Sequence, residues 1–252
     1  MKVQHMLKPL AFTLAAILST GAFAGGWDHH SPASVSAATA KITDKQDIKK
    51  SAVTNIRTEN SAFAEDSVNG ASGNIGVNIV AGDNNQQANA AALATADAAF
   101  MQGAAIASAS IKQESSDNKL ENYGTANDST LYKSANGSSG NLGINMAAGN
   151  FNQQKNDLVV ASSQKAYNAT ASANVKQELK DNVTNNEMSY ASSNSGYGYG
   201  HSHQTYTPVM NTADLTGSLN NASGNVGANF AAGGGNQQSN TLAIAAGCNA
   251  CK

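Results

Sequence analysis

Asparagine and glutamine are the side chains whose types and spacing could do chemistry in this chain. Residues 73–89 read GNIGVNIVAGDNNQQAN, residues 140–156 read GNLGINMAAGNFNQQKN, and residues 224–240 read GNVGANFAAGGGNQQSN. Ten of the seventeen positions are identical in all three copies. Six are amides: Asn74, Asn78, Asn85, Gln86, Gln87 and Asn89 in the first, Asn141, Asn145, Asn152, Gln153, Gln154 and Asn156 in the second, and Asn225, Asn229, Asn236, Gln237, Gln238 and Asn240 in the third. A side-chain amide both donates and accepts. Identical amides stacked about 4.8 Å apart can each bond the copy above and below. A foreign residue at one level strands its neighbours, and an unpaired buried amide costs about 1–3 kcal/mol. Such a ladder therefore requires identity, which is what these positions show.

The variable positions describe the elements that carry the amides. Ile75, Val77 and Ile79 alternate with Asn74, Gly76 and Asn78, and the other copies place Leu142, Ile144, Met146 and Val226, Ala228, Phe230 at the same positions. Period two predicts a strand with a dry apolar face and an amide face. The pair Ala81-Gly82 marks a turn, and a second strand carries Asn85, Gln86, Gln87 and Asn89. An isolated hairpin of this size is marginal, so the three units are expected to stack, one per layer. Neither proline nor a charged cap flanks the third copy, and undefended edges predict polymerisation.

Composition supports this reading. The 252 residues are 40% hydrophobic, 6% aromatic and 13% charged, with a formal net charge of −2. Much of the apolar share is alanine, too little large side chain for an ordinary core of this length. The charge balance argues against a nucleic-acid surface. The expected fold is all-β, a cross-β or β-solenoid stack of three imperfect repeats joined by long flexible linkers, from a monomer largely disordered before assembly. The expected divisions are a signal peptide (1–24), a polar arm (25–66), repeats at 67–95, 134–162 and 218–246, linkers at 96–133 and 163–217, and a tail at 247–252. The signal rests on Lys2 and Lys8, the apolar run Leu10 to Leu18 and Ala22-Phe23-Ala24. The linkers share one echo, Ile111-Lys112-Gln113-Glu114 against Val175-Lys176-Gln177-Glu178. Alanine-rich 90–110 has helix propensity, yet strand and loop fit its neighbours better. Polar stretches 115–135 and 181–215 are expected to be mobile.

These residues resemble the Fap functional amyloids of Pseudomonas, the major fibre subunit in particular: three glycine-asparagine repeats ending in N-Q-Q-x-N, two long linkers, a signal peptide and a terminal C-x-x-C. The resemblance spans essentially the whole mature chain. It implies a secreted subunit that polymerises into extracellular cross-β fibres of the biofilm matrix. It also implies periplasmic transit with a chaperone or protease, export through an outer-membrane pore, and a minor subunit that nucleates the fibre. Curli subunits share amide ladders in shorter, contiguous repeats, a weaker analogy.

Other candidates have plainer readings. Cys248 and Cys251 can form a disulfide within or between chains that regulates assembly, belong to a dispensable tail, or act in redox or metal chemistry. His29, His30, His201 and His203 sit in Gly/Ser/Tyr-rich segments and read as solvated rather than metal-binding. No catalytic constellation or cofactor motif is evident, so no enzyme and no cofactor is expected. The competing functions are a monomeric secreted β-solenoid that binds a surface as an adhesin might, a nucleating fibre subunit, and a C-x-x-C redox enzyme.

Overall fold

The computed structural model describes residues 37–96, 104–163, 168–193 and 203–247. The first five strands are β1 (Ala37–Lys49), β2 (Ala52–Ile56), β3 (Glu59–Glu65), β4 (Ser72–Ala81) and β5 (Gln86–Ala96). The next five repeat them as β6 (Ala104–Ser116), β7 (Lys119–Tyr123), β8 (Ala126–Tyr132), β9 (Ser139–Ala148) and β10 (Gln153–Ser163). The third set is β11 (Asn168–Lys180), β12 (Val183–Glu187), β15 (Met210–Thr216), β16 (Ser223–Ala232) and β17 (Gln237–Ala246). An antiparallel pair, β13 (Ser189–Ser193) and β14 (His203–Thr207), interrupts that set. Each set is one rung. Corresponding strands form five three-stranded parallel sheets, always with the second rung in the middle. Among the described residues every element is a strand, as the alternation requires.

Register follows the repeats. Rungs 1 and 2 align at one offset of 67 residues, from Gln46 and Gln113 to Gln87 and Gln154. Rungs 2 and 3 align at 64 residues before the β13–β14 hairpin and at 84 after it. The hairpin is thus a local insertion that leaves the stack in register. The echo at Ile111–Glu114 pairs with Val175–Glu178 residue for residue.

Two differences from the sequence reading stand out. The segments 115–135 and 181–215, expected to be mobile, contain β7, β8, β12, β15 and the hairpin, and much of the polar arm forms β1, β2 and β3. Their backbone groups bond the next rung, so only inward positions need a fixed character. β3, for example, alternates strictly between exposed and buried, and its outward residues can drift until the repeat is hard to see. The second difference concerns the repeat itself, which is an arch rather than a hairpin. β4 pairs with β9 and β5 with β10, while β4 and β5 face one another through side chains.

The core lies in layers between sheets. One face of the β4/β9/β16 sheet packs Leu142, Ile144 and Met146 against Leu131 and Ala64, with Ile75, Val77, Ile79, Ala228 and Phe230 around them. Val226 departs from the expected dry interior: it is 37% exposed, whereas Leu142 one rung away is 2% exposed. It sits near the start of its strand in an end rung, with no further rung to cover it. A second layer is almost entirely alanine. Ala94, Ala96 and Ala161 meet Ala105, Ala107 and Ala109, with Val159 and Ile111. Small side chains let these two sheets approach closely. Ile48, Leu120 and Phe151 close a third, smaller cluster.

Candidate functional site

The amide face of β4, β9 and β16 packs on the first half of β5, β10 and β17, and here the ladders form. Asn145 Nδ2 donates to Asn78 Oδ1 at 3.0 Å, and Asn229 Nδ2 to Asn145 Oδ1 at 2.9 Å. On the facing strand Asn156 donates to Asn89 and Asn240 to Asn156, both at 3.0 Å. The two ladders also bond across the arch: Asn89 donates to Asn78 at 2.7 Å, Asn156 to Asn145 at 2.8 Å and Asn240 to Asn229 at 2.7 Å. Every rung therefore carries one cross-arch amide bond and joins its neighbours through two ladders.

The invariant glycine between these asparagines has a steric cause. A Cβ on Gly76 would lie 2.9 Å from Asn89 Cβ, on Gly143 2.6 Å from Asn89 Oδ1, and on Gly227 2.7 Å from Asn156 Oδ1. The facing asparagine occupies the space a side chain would fill. At the arch, Gly82 and Gly149 combine positive φ (102° and 111°) with stacking so close that a Cβ would meet the next rung's carbonyl oxygen at 2.0 and 2.1 Å. Only glycine satisfies both demands.

The two glutamines of each rung point to opposite sides of their strand. Gln87, Gln154 and Gln238 face the arch, donating to the carbonyls of Ile79, Met146 and Phe230. They form a ladder with Gln87 donating to Gln154 at 2.6 Å and Gln154 to Gln238 at 2.7 Å. Gln86, Gln153 and Gln237 turn away and donate to the carbonyls of Asp47, Glu114 and Glu178, each at 3.1 Å. Their own ladder runs from Gln237 to Gln153 at 2.6 Å and from Gln153 to Gln86 at 2.9 Å. They fasten the β5/β10/β17 sheet to the β1/β6/β11 sheet.

Asn85, Asn152 and Asn236 lie in the turn just before the second strand rather than within it. Asn85 Oδ1 accepts the Asn152 N–H at 2.9 Å, and Asn152 Oδ1 accepts the Asn236 N–H at 3.1 Å. Asn74, Asn141 and Asn225 form an outer ladder, exposed at Asn74 and half-buried at Asn141 and Asn225, with bonds of 2.5 and 2.7 Å.

Several ladders escaped the sequence reading. Gln113 donates to Gln46 and Gln177 to Gln113, both at 2.7 Å. Asn55, Asn122 and Asn186 form another, as do Asn60, Asn127 and Asn211. A comparison at the fixed 67-residue offset along the whole chain would have found their first two members. Parallel rows of charge flank the first of these ladders. Lys45, Lys112 and Lys176 align, as do Asp47, Glu114 and Glu178. Lys112 and Lys49 hold the Glu114 carboxyl down to about 2 by hydrogen bonding. Lys119 and Lys176 likewise lower Glu121 and Glu178.

Besides the β13–β14 hairpin, a buried ion cluster breaks the three-fold repetition. Lys155 is buried in the middle rung and contacts Asp44 of rung 1 and, at 3.2 Å, Asp157. Burial pushes the Asp157 carboxyl up to about 6, against the pull of Lys155. Cys248, Cys251, His29, His30 and His201 lie outside the described residues, as does the signal segment 1–24.

The model of the functional amyloid protein FapB/FapC family matches residues 39–247. The functional amyloid subunit FapC of Pseudomonas aeruginosa (strain PAO1) is 40% identical to this chain, over 100% of this chain and 97% of the relative. No solved structure matches. With the family model spanning every rung and the full-length relative agreeing, this chain belongs to the FapB/FapC functional amyloid protein family.

Proposed function

We propose that this protein is a secreted structural subunit that self-assembles into extracellular amyloid fibres of a biofilm matrix, each chain adding three rungs to a continuous stack. The observation that carries the reading is that the ladders run undiminished to both end rungs. β4 and β5 at one end and β16 and β17 at the other pair on one side only. They present the same amide set, Asn78, Gln86, Gln87 and Asn89 against Asn229, Gln237, Gln238 and Asn240. An open edge with unpaired backbone groups templates a further chain, and rung 3 of one chain matches rung 1 of the next.

Apart from the local β13–β14 hairpin, backbone pairs join residues 64 to 84 apart, so the stacked strands of a rung gain no hydrogen bonds from within that rung. Such pairing forms slowly and late. This supports a monomer largely disordered before assembly. Membership of an amyloid-subunit family supports a non-enzymatic role and self-association. A nucleating minor subunit, a periplasmic chaperone or protease, and an outer-membrane pore are the proposed partners, and a disulfide or free thiols at Cys248 and Cys251 a proposed influence on assembly.

The test is quiescent incubation of purified 25–252 with dye-binding kinetics and fibre diffraction. The expected result is a lag phase followed by fibres with reflections near ~4.7 and ~10 Å. A stable strand-rich monomer that never sediments would overturn the reading in favour of a surface-binding solenoid.

A further inference from the structure

The amide and glycine ladders are the same in every rung, so by themselves they allow any rung to stack on any other. A chain adding to a fibre end could dock through rung 1 or, with rung 1 peeled away, through rung 2. Some feature that differs between rungs must distinguish these frames. The layer between the β1/β6/β11 and β5/β10/β17 sheets holds one. At three aligned positions rung 1 has Asp44, Ala88 and Ala90, rung 2 has Ile111, Lys155 and Asp157, and rung 3 has Val175, Ser239 and Thr241. The Lys155 side chain is 1% exposed and that of Asp157 0%. Lys155 reaches across to Asp44 of rung 1, whose side chain is 22% exposed.

We propose that this buried ion cluster sets the frame of chain addition: it ties rung 2 to its own rung 1 and so keeps rung 2 from serving as the docking rung. The inference rests on the reading that chains polymerise by stacking rung 3 on rung 1. In that frame Lys155 keeps Asp44, and Asp44 meets only the uncharged Val175 of the neighbouring chain. In the shifted frame, rung 2 lies on the neighbour's rung 3. Lys155 then faces Val175, and Asp44 has left with rung 1. Removing one partner from a buried ion cluster is strongly unfavourable, whereas replacing all its members with apolar residues of similar size is often harmless. A device of this kind specifies register rather than adding stability. The opposite shift, in which rung 1 lies on the neighbour's rung 2, leaves the cluster intact, so the device acts on one frame alone.

That asymmetry provides the test. Thr95, Ser162 and Ala246 are register partners on β5, β10 and β17, on the face opposite the alanine layer. Chains carrying Cys248→Ser, Cys251→Ser and one of Thr95→Cys, Ser162→Cys or Ala246→Cys are mixed in pairs, grown into fibres and joined with a short bis-maleimide. Unaltered clusters should join Thr95→Cys chains to Ala246→Cys chains and give little joining of Ser162→Cys to Ala246→Cys. The variant Asp44→Leu/Lys155→Met/Asp157→Leu should raise the latter by about tenfold or more, and leave joining of Ser162→Cys to Thr95→Cys unchanged. No rise, or an equal rise in both, would overturn the proposal.

If that variant forms no fibres, Asp44→Lys/Lys155→Asp decides. Fibres with the unaltered pattern support the frame selector. Fibres with the shifted pattern, or no fibres from either variant, refute it. Fibres of unaltered chains that never join Thr95→Cys to Ala246→Cys would instead sink the stacking model itself.

Discussion

The middle rung and the two end rungs contain the same ladder residues in very different surroundings. Asn145, Asn152, Gln153 and Gln154 are 0% exposed in the middle, while at the ends Gln86, Gln87, Gln237 and Gln238 are half-buried and Asn78 of rung 1 is exposed, although its rung 3 equivalent Asn229 stays buried. The residues and the local arch are the same, so the difference comes from neighbours along the axis. A rung is protected by the rungs above and below it far more than by its own side chains. A single chain has one such protected rung, and each chain added to a stack converts an end rung into a middle one.

The largest effect should come from breaking the middle rung. In Gly143→Val the new side chain must displace Asn89 and Asn156, which already lie within 2.6–3.0 Å of a Cβ there. The loss should exceed about 4 kcal/mol, read as failure to form fibres under conditions where the unaltered chain does.

Next comes the buried cluster that joins the middle rung to rung 1. Asp157, raised to about 6, faces Lys155 on its own strand and Asp44 from β1, with uncharged Ala90 and Thr241 aligned beside it. Its folded pKa lies above the ordinary carboxylate value. Its contribution is therefore complete below about pH 4 and is lost as pH rises through about 6. Fibres should resist denaturant better at pH 5 than at pH 7.5, by on the order of 1–2 kcal/mol, and Asp157→Asn should flatten that dependence. Glu114, Glu121 and Glu178, all shifted down, act in the opposite sense only below about pH 4.5.

A subtler measurement addresses the comparison directly. Within one chain only Gln154 has two ladder neighbours, so if end rungs stayed uncovered Gln154→Ala would cost about 1 kcal/mol more than Gln87→Ala or Gln238→Ala. In fibres the three costs should converge, as read from denaturant midpoints. Persistent inequality would mean that end rungs stay ends. The smallest effect is expected at the surface: Lys112→Ala should change stability by less than about 1 kcal/mol despite its ion pair with Glu114, because the lysine is 40% exposed.

Much of this was legible in the residues. The repeats, the strand alternation and the stacking of identical amides follow from period two and from positions such as Asn78, Asn145 and Asn229 that admit no substitute. The alternation of Ile75, Val77 and Ile79 is visible in the residues, whereas how far each such side chain is covered depends on its rung, from Leu142 at 2% exposed to Val226 at 37%. β7, β8, β12 and β15 were not legible, because their outward side chains are free to vary and their hydrogen bonds go to residues 64 to 84 positions away. The arch was hidden for a related reason: a turn of glycine and asparagine reads alike whether its flanking strands bond to each other or to the next rung.

The sequence by itself determined the repeat unit and its amide chemistry, because a ladder works only where identity is kept. The tertiary structure alone decided which strands pair and which merely face, and that Lys155 meets Asp44 from 111 positions away. Those outcomes depend on where the backbone hydrogen bonds go, and in a stack they go along the axis, between residues that local patterns cannot connect.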